Sequence, residues 1–300
     1  MHRNSQTRQG SDFEYLLTPA DVSTVKQVVI EKGLGAVNGI TSRDFDDIVK
    51  NLLKPLQEAG TIGDGINTKF DDRKVRLHRY RIAEHYLILD LGPTWYQQWK
   101  NDGERLISPE AVDSLKKTGI AVYNDQFAYF ARPLGVAIVP VTLEGHAYIG
   151  LRERGDSSGV LSFPAGWMEF QEDISRLSYI SLGIADTSIG EDIVRELGEY
   201  GLTRDNVLST RLVGLAAHPL RMDGDLVFLT KTNVSDSYFE SNEWRERRTE
   251  QEHSRLFKLA NSEEVFRLSR FGLIGNEHFE ILYSSRLGLE SLYQEMREKE

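Results

Sequence analysis

Hydrophobic and polar positions in the first part of the chain predict both helices and strands. A helical pattern covers 18–60, with one helix running from Asp21 or Ser23 to Lys32 and a second over 42–56. Alternating apolar residues over 73–91 predict two strands, and a helix is predicted over 109–117. The pattern therefore indicates a mixed α and β region.

Beyond Arg132 the apolar positions become nearly continuous. Gly135–Thr142 and Ala147–Leu151 are apolar runs joined by the predicted turn Leu143–His146, which indicates a hairpin within a sheet. Three later strands are predicted over 207–217, 225–231 and 255–259, and three helices over 189–200, 262–268 and 286–298.

This change of pattern predicts three parts. The polar residues 1–10 are expected to be a disordered tail with no signal peptide. An α+β N-terminal region is predicted over 11–128, followed by a second domain over 129–300. The fold class is therefore predicted to be α+β, with a mixed sheet in the second domain.

Composition and charge narrow the classes of function. Hydrophobic residues make up 40% of the chain and charged residues 27%, without an apolar run long enough for a membrane helix. We expect a cytoplasmic protein that binds no membrane. The net charge of −10 disfavours nucleic acid as a partner. The absence of cysteine excludes disulfides and thiolate metal sites.

The predicted helix over 189–200 has recognisable ends. Ser188 and Glu191 have the spacing of a capping box, which places the helix start at Ile189. Gly201 suits the left-handed conformation that ends many helices.

Three acidic residues share one face of this helix. Asp192, Glu196 and Glu199 lie at positions i, i+4 and i+7. Like charges in this arrangement repel each other, and a hard divalent cation such as Mg²⁺ relieves the repulsion because it prefers oxygen ligands. The alternative is an ordinary solvated charged face.

The surrounding residues resemble the Nudix box, whose pattern is G-x5-E-x7-R-E-U-x-E-E-x-G-U with U aliphatic. Gly166-x5-Glu172 matches its first half, and Arg195-Glu196-Leu197-x-Glu199 matches its second. Phe163-Pro164-Ala165-Gly166 is similar to the F-P-G-G segment that precedes the box in this family. The resemblance implies a Nudix α/β/α sandwich with a mixed sheet and a Mg²⁺-dependent diphosphatase, with Mn²⁺ as a substitute metal.

Two departures from the box affect these expectations. Twenty-two residues separate Glu172 from Arg195 where the pattern has seven, which indicates an insertion at about 173–187. Tyr200 replaces the second glutamate of the family's E-E pair, and the tail is one residue short. Glu252, ahead of a late strand, is a candidate replacement ligand or general base.

The resemblance also implies roles for individual residues. Glu196 and Glu199 are the expected metal ligands, assisted by the backbone carbonyl of Ala165 or Gly166, and Glu172 and Arg195 are expected to form an ion pair that orients the helix. Candidates for substrate binding, for which plain surface positions are the alternative, are Arg152, Arg154, His218 and Arg221.

Three short segments resemble one branch of the family, the UDP-glucose/UDP-galactose diphosphatases with an N-terminal region and an insertion in the box. They are Arg76-Leu77-His78, the segment 91–96 (LGPTWY) and the segment 133–136 (PLGV). The resemblance implies hydrolysis of a UDP-sugar to UMP and a sugar 1-phosphate.

Two further hypotheses stay open. One is an ADP-ribose or dinucleotide diphosphatase, which would differ in its base-contacting residues. The other is a Nudix-fold module that binds a nucleotide or partner without turnover, and Tyr200 favours it. A small nucleoside diphosphate is the expected partner in the catalytic cases, and the sequence does not predict an oligomeric state.

Overall fold

A computed structural model of the chain describes residues 14–32, 73–95, 99, 109–153, 157–170, 180–181, 188–218 and 223–300. The strands are β1 (Glu14–Leu17), β2 (Gln27–Lys32), β3 (Arg73–Ala83), β4 (Tyr86–Trp95), β5 (Leu134–Val141), β6 (Ala147–Arg152), β7 (Leu161–Ser162), β8 (Ala165–Trp167), β9 (Ile180–Ser181), β10 (Val207–Ala217), β11 (Gly224–Thr232), β12 (His253–Leu259), β13 (Leu273–Ile274) and β14 (Glu277–His278). The α-helices are α1 (Pro109–Tyr123), α2 (Ser188–Leu197), α3 (Asp236–Glu240), α4 (Glu243–Arg247), α5 (Ser262–Phe271) and α6 (Tyr283–Arg297).

A mixed sheet forms the centre of the molecule. Its strand order is β1-β10-β11-β5-β6-β12, with β7 beside β6 and β8 beside β5. Strands β11 and β5 run parallel, and the other pairings in this sheet are antiparallel. The predicted α+β class with a mixed sheet is confirmed, as is the hairpin of β5 and β6.

Helices cover both faces of this sheet because β5 and its neighbours alternate between two cores. On one face Leu134, Val136 and Ile138 belong to the same core as Ile189 and Leu197 of α2. On the other face the buried residues of α5 and α6 pack against Ala137, Val139 and Ile149. The result is a three-layer α/β/α arrangement, as expected.

A second sheet has the order β3-β4-β2-β9. Strand β9 lies within the predicted insertion 173–187, and β1, from the predicted N-terminal region, pairs with β10 in the central sheet. In both sheets, strands from before residue 128 therefore pair with strands from after it. The domain boundary proposed at this residue stays a prediction.

The helix predicted from Asp21 or Ser23 to Lys32 is wrong. The Asp21 carboxylate accepts a hydrogen bond from the Thr18 backbone N–H at 2.9 Å and stabilises a turn, and the chain then enters β2. Strand β2 buries Val28 and Ile30, and β-branched residues that alternate in this way suit a strand. The helix predicted over 42–56 and the tail 1–10 lie outside the described residues.

Other predicted elements are confirmed with small changes in length. Strands β3, β4, β10, β11 and β12 cover the predicted runs, and α1, α5 and α6 cover the predicted helices. Within the described part of the chain, no helix has both the length and the apolar character that crossing a membrane requires.

Candidate functional site

The predicted acidic helix is present, and its last turn is tighter than expected. Helix α2 ends at Leu197, and Gly198–Tyr200 continue as a 3₁₀ turn. Gly201 has a φ of 70° and donates its N–H to the Gly198 carbonyl at 2.9 Å. This 3₁₀ turn lies in the tail of the box, where the sequence is one residue shorter than the family pattern. Glu191 is exposed and pairs with Arg204, while the Ser188 side chain lies outside the description.

The three acidic residues of this face are buried rather than solvated. Asp192, Glu196 and Glu199 are 5%, 7% and 3% exposed. Burial, followed by the charge of the neighbouring Glu199, raises the pKa of Glu196 to about 8. Burial and then the charge of Glu252 raise the pKa of Glu199, also to about 8. The free protein therefore holds closely spaced carboxyl groups that are costly to ionise without a compensating cation.

The Gly166 bend meets this acidic face directly. Strand β8 pairs with β5, with Gly166 opposite Val136. A Cβ built on Gly166 would lie 2.5 Å from Glu196 Oε2, so a side chain at this position would collide with the carboxylate. Glycine is required here by close approach, and the segment around Gly166 contacts the acidic face of α2.

Arg195 links the acidic face to the strand beside it. Its guanidinium lies 2.6 Å from Asp192, donates two hydrogen bonds to Glu196 Oε1 at 2.7 and 2.9 Å, and donates to the Trp167 carbonyl at 2.8 Å. The expected partner Glu172 lies outside the described residues, so the Glu172–Arg195 pair stays a prediction. Within the described residues, Arg195 joins α2 to β8 through its contacts with Glu196 and with the Trp167 carbonyl.

Tyr200, which replaces a box glutamate, points into the core. It is fully buried, with ring centroids 6.1 Å from both Phe239 and Trp244. Its hydroxyl donates to the Ser162 carbonyl at 3.4 Å. Because its side chain packs among these rings, position 200 contributes no ligand to the acidic face.

Glu252 lies beside this face. Its carboxylate pairs with Arg152, and its charge acts on Glu199. The side chain of Glu252 is 30% exposed, which makes it the most solvent-accessible carboxylate of the group formed with Glu196 and Glu199. Arg152, predicted to bind substrate, therefore lies next to the site, where it partly neutralises Glu252.

The remaining predicted binding residues are less well defined. His218 is half-buried, and its ring lies edge-on to Tyr283 with centroids 6.2 Å apart. The backbone N–H of His218 donates a hydrogen bond to the Asp223 carbonyl at 2.8 Å. Arg154 and Arg221 lie outside the described residues, so their roles stay predictions.

Asp225 belongs to this region but escaped the sequence analysis. A Cβ built on Gly135 would meet both the Asp225 carboxylate and, at 2.6 Å, the Gly166 carbonyl. Burial, followed by the charge of Asp223, raises the pKa of Asp225 to about 7. The available signal is an acid at the start of an otherwise apolar strand, but its proximity to Gly166 depends on the pairing of β11 with β5.

His253 is the second residue that the sequence analysis missed. Its ring is fully buried, with Nδ1 3.1 Å from Glu199 Oε2 and Nε2 2.9 Å from the Ser162 hydroxyl. Burial, and next the charge of Arg152, lower the pKa of His253 to about 3, so the ring is neutral. Its position directly after Glu252 is the only sequence signal.

The donor chemistry fits a hard divalent cation, because the Glu196 carboxylate lies against Gly166 and the Asp225 carboxylate lies near the Gly166 carbonyl. Glu199 Oε2 accepts no well-aligned hydrogen bond from the described residues. Across the described ranges, however, no group of three or more acidic or histidine side chains is arranged to hold a metal ion. A complete coordination sphere therefore needs ligands beyond the Glu196 and Glu199 side chains.

A cavity of about 400 Å³ lies elsewhere, against β3 and the end of α1. It is lined by His78, Arg79, Phe127 and Arg132 among others, and includes none of the acidic residues of α2. The guanidinium of Arg132 lies 3.8 Å from the centre of the Phe127 ring and donates to the His78 carbonyl, so it is engaged in packing. We place the candidate chemistry at the acidic face, where carboxylates are buried together, rather than at this cavity.

Comparison with known proteins gives matches among solved structures only. No family model matches the chain, and no curated protein matches it. Among solved structures, it is similar to a bifunctional NMN adenylyltransferase/ADP ribose pyrophosphatase from Francisella tularensis, with 12% identity and a TM-score of 0.33 over 62% of this chain. The match spans 46% of the Francisella chain.

Two other solved structures match a similar share of the chain. A MutT protein from Methanosarcina mazei Go1 is 15% identical over 54% of this chain and 94% of its own, with a TM-score of 0.30. The NUDIX domain of Shewanella oneidensis NrtR, solved with ADP ribose, is 11% identical over 61% and 97%, with a TM-score of 0.32. These identities and TM-scores are too low to carry an argument about family or activity.

Proposed function

We propose that this chain is a metal-dependent hydrolase of the Nudix type that splits a nucleoside diphosphate linked to another moiety. The observation that carries the proposal is the burial of Glu196 and Glu199 side by side, with Glu196 against the Gly166 bend. Buried like charges are costly unless a cation or proton compensates them. Their position beside Gly166 supports a site for a divalent cation, which would take the place of the compensating proton.

The carboxylates of Glu196 and Glu199 and the carbonyl of Gly166 would hold Mg²⁺, or Mn²⁺ in its place. When bound, the cation would neutralise negative charge on the diphosphate and would lower the pKa of a water molecule. Arg195 orients Glu196 through its two hydrogen bonds to Oε1. Glu252 is the proposed general base, since it is the more exposed carboxylate and can take a proton from water.

The finer proposal is a UDP-sugar substrate, cleaved to UMP and a sugar 1-phosphate. Its support is the resemblance of the segments 76–78, 91–96 and 133–136 to the UDP-sugar diphosphatases. Arg152 is proposed to exchange its Glu252 partner for a phosphate oxygen, because a guanidinium binds both groups in the same bidentate manner.

Product analysis tests this proposal. The full chain is incubated with UDP-glucose, ADP-ribose or NADH in the presence of Mg²⁺ or of a chelator, and the products are separated. We expect UMP and glucose 1-phosphate from UDP-glucose only when Mg²⁺ is present. Glu196→Gln should abolish this release, while the matched control Glu191→Gln, an exposed glutamate of the same helix, should retain it. Release of AMP from ADP-ribose instead would favour ADP-ribose over a UDP-sugar as the substrate. The absence of turnover with both Mg²⁺ and Mn²⁺ would contradict the proposed hydrolase.

A second candidate, a Nudix-fold module that binds a nucleotide without turnover, is favoured by two observations. No described group of three acidic or histidine side chains is arranged around a metal position, and Tyr200 packs in the core. This candidate predicts a rise in melting temperature with UMP or ADP-ribose that a chelator does not remove, and no product. A rise that requires Mg²⁺ would contradict it.

A further inference from the structure

Two buried polar side chains of the central sheet, Ser162 and His253, form a chain of contacts that ends at Glu199. The Ser162 hydroxyl is 2.9 Å from His253 Nε2, and His253 Nδ1 is 3.1 Å from Glu199 Oε2. Ser162 and His253 are fully buried, and Glu199 is 3% exposed. Polar groups are costly to bury without partners, so their convergence calls for a physical reason.

Two local features bring these residues together. Ser162 lies on β7 and His253 on β12, with β6 between them, so their strands are roughly 10 Å apart. The residue of β6 opposite Ser162 is Gly150, and a Cβ built there would lie 2.6 Å from Cγ of His253. Because Gly150 has no side chain, the two polar groups meet across the middle strand.

A β-bulge turns His253 toward the acidic face. In β12, Phe257 and Leu259 face the core that contains α6, and unbroken alternation would place His253 on that same face. The register of β12 with β6 shifts between His253 and Arg255, so His253 pairs with Arg152 and shares the face of Leu256 and Gly150. Bulges commonly re-aim side chains beside functional sites.

We propose that His253 is a positioning residue for Glu199, donating its Nδ1–H to Oε2 while Nε2 accepts from the Ser162 hydroxyl. The inference rests on the proposed role of Glu199 as a metal ligand. A neutral imidazole has one donor and one acceptor, and an ionised carboxylate only accepts, so this tautomer satisfies all three groups once Glu199 is ionised, as metal binding requires. The two atoms are close but are not aligned as a hydrogen bond in this structure, and the proposed bond requires the ring to rotate.

Two near-isosteric variants separate positioning from packing. Asparagine at 253 presents an amide N–H where Nδ1 lies, whereas glutamine reaches toward Ser162 and leaves Glu199 without its donor. We expect His253→Asn to keep the Mn²⁺ dissociation constant, measured by electron paramagnetic resonance, within about threefold of wild type, and His253→Gln to weaken it about 10- to 100-fold. Equal effects of the two variants would overturn the proposal.

A second measurement needs no metal. Long-range nitrogen-15 NMR of the metal-free wild type, recorded above the folded pKa of Glu199 so that this carboxylate is ionised, reports the tautomer of each of the seven histidines. We expect one buried, neutral Nδ1–H ring, assigned to His253 by its absence in His253→Asn, or by its altered signal in Ser162→Ala. An Nε2–H tautomer would overturn the proposal. Failure of the wild type to bind Mn²⁺ would instead contradict the proposed function, and the NMR result would still decide the role of His253.

Discussion

The carboxylate of Glu196 occupies the space that a side chain at Gly166 would need. The two residues come from different elements, α2 and β8, and a Cβ on Gly166 would lie 2.5 Å from Glu196 Oε2. The position of the proposed ligand therefore depends on the absence of a side chain thirty residues earlier in the sequence.

Gly166→Ala should displace Glu196 and abolish metal-dependent turnover, with a stability loss of about 1 to 3 kcal/mol from overpacking. The matched control is Gly145→Ala in the β5–β6 turn, where φ is 87° and nothing lies within 4 Å of an added Cβ. That change should cost about 1 kcal/mol through backbone strain. Urea unfolding and product assays compare the two, and equal activity of both variants would contradict the close contact at Gly166.

Restoring a glutamate at position 200 should not restore a ligand. Tyr200 is packed among Phe239, Trp244 and His253, so Tyr200→Glu would bury an unpaired carboxylate and should cost about 3 to 5 kcal/mol. Tyr200→Phe removes only the long hydrogen bond to Ser162 and should cost about 1 kcal/mol or less. Urea unfolding measures both values. Higher turnover and unchanged stability in Tyr200→Glu would show that position 200 faces the acidic site.

The metal-free protein should lose stability as the pH rises from 6.5 to 8.5. Folding raises the pKa of Glu196 and Glu199 to about 8, so each contributes stability below its unfolded pKa and loses it as pH passes the folded value. The pKa of His253 is lowered, so its contribution is lost only on the acid side of 6.5. Melting temperatures across this window should fall less steeply for Glu199→Gln than for wild type or Glu191→Gln. Parallel curves for all three would contradict the burial of an ionisable Glu199.

Arg195→Lys should weaken the junction between α2 and β8. Lysine keeps the charge but lacks the planar fork that contacts Asp192, Glu196 and the Trp167 carbonyl together. We expect a loss of about 1 to 3 kcal/mol in urea unfolding, since hydrogen bonds to charged groups are broken. Arg204→Lys, which alters the exposed pair with Glu191, is the control and should change stability little. If the two variants were equally stable, Arg195 would not join these elements.

Periodicity was sufficient to predict the elements with long, regular patterns. The β5–β6 hairpin and α2 follow from local apolar spacing and from helix-ending residues such as Gly201. The same reasoning failed for β2, because its alternation of Val28 and Ile30 is short and follows an acidic residue that resembles a helix cap.

The missing parts of the site depend on long-range pairing. His253 reaches Glu199 only because a bulge interrupts β12, and Asp225 approaches Gly166 only because β11 runs beside β5. Neither feature has a local signal in the sequence. The interior position of Tyr200 likewise depends on the rings of Phe239 and Trp244, about forty residues away.

The most direct test of the account is a Mn²⁺ titration of wild type, Glu196→Gln, Glu199→Gln and Glu191→Gln, followed by electron paramagnetic resonance. Glutamine keeps the size of glutamate and removes the charge that a hard cation requires. The account predicts one site in wild type and in Glu191→Gln, and at least about tenfold weaker binding in each of the other two variants. Equal affinity in all four proteins would contradict the assignment of the buried carboxylates of Glu196 and Glu199 as the metal ligands.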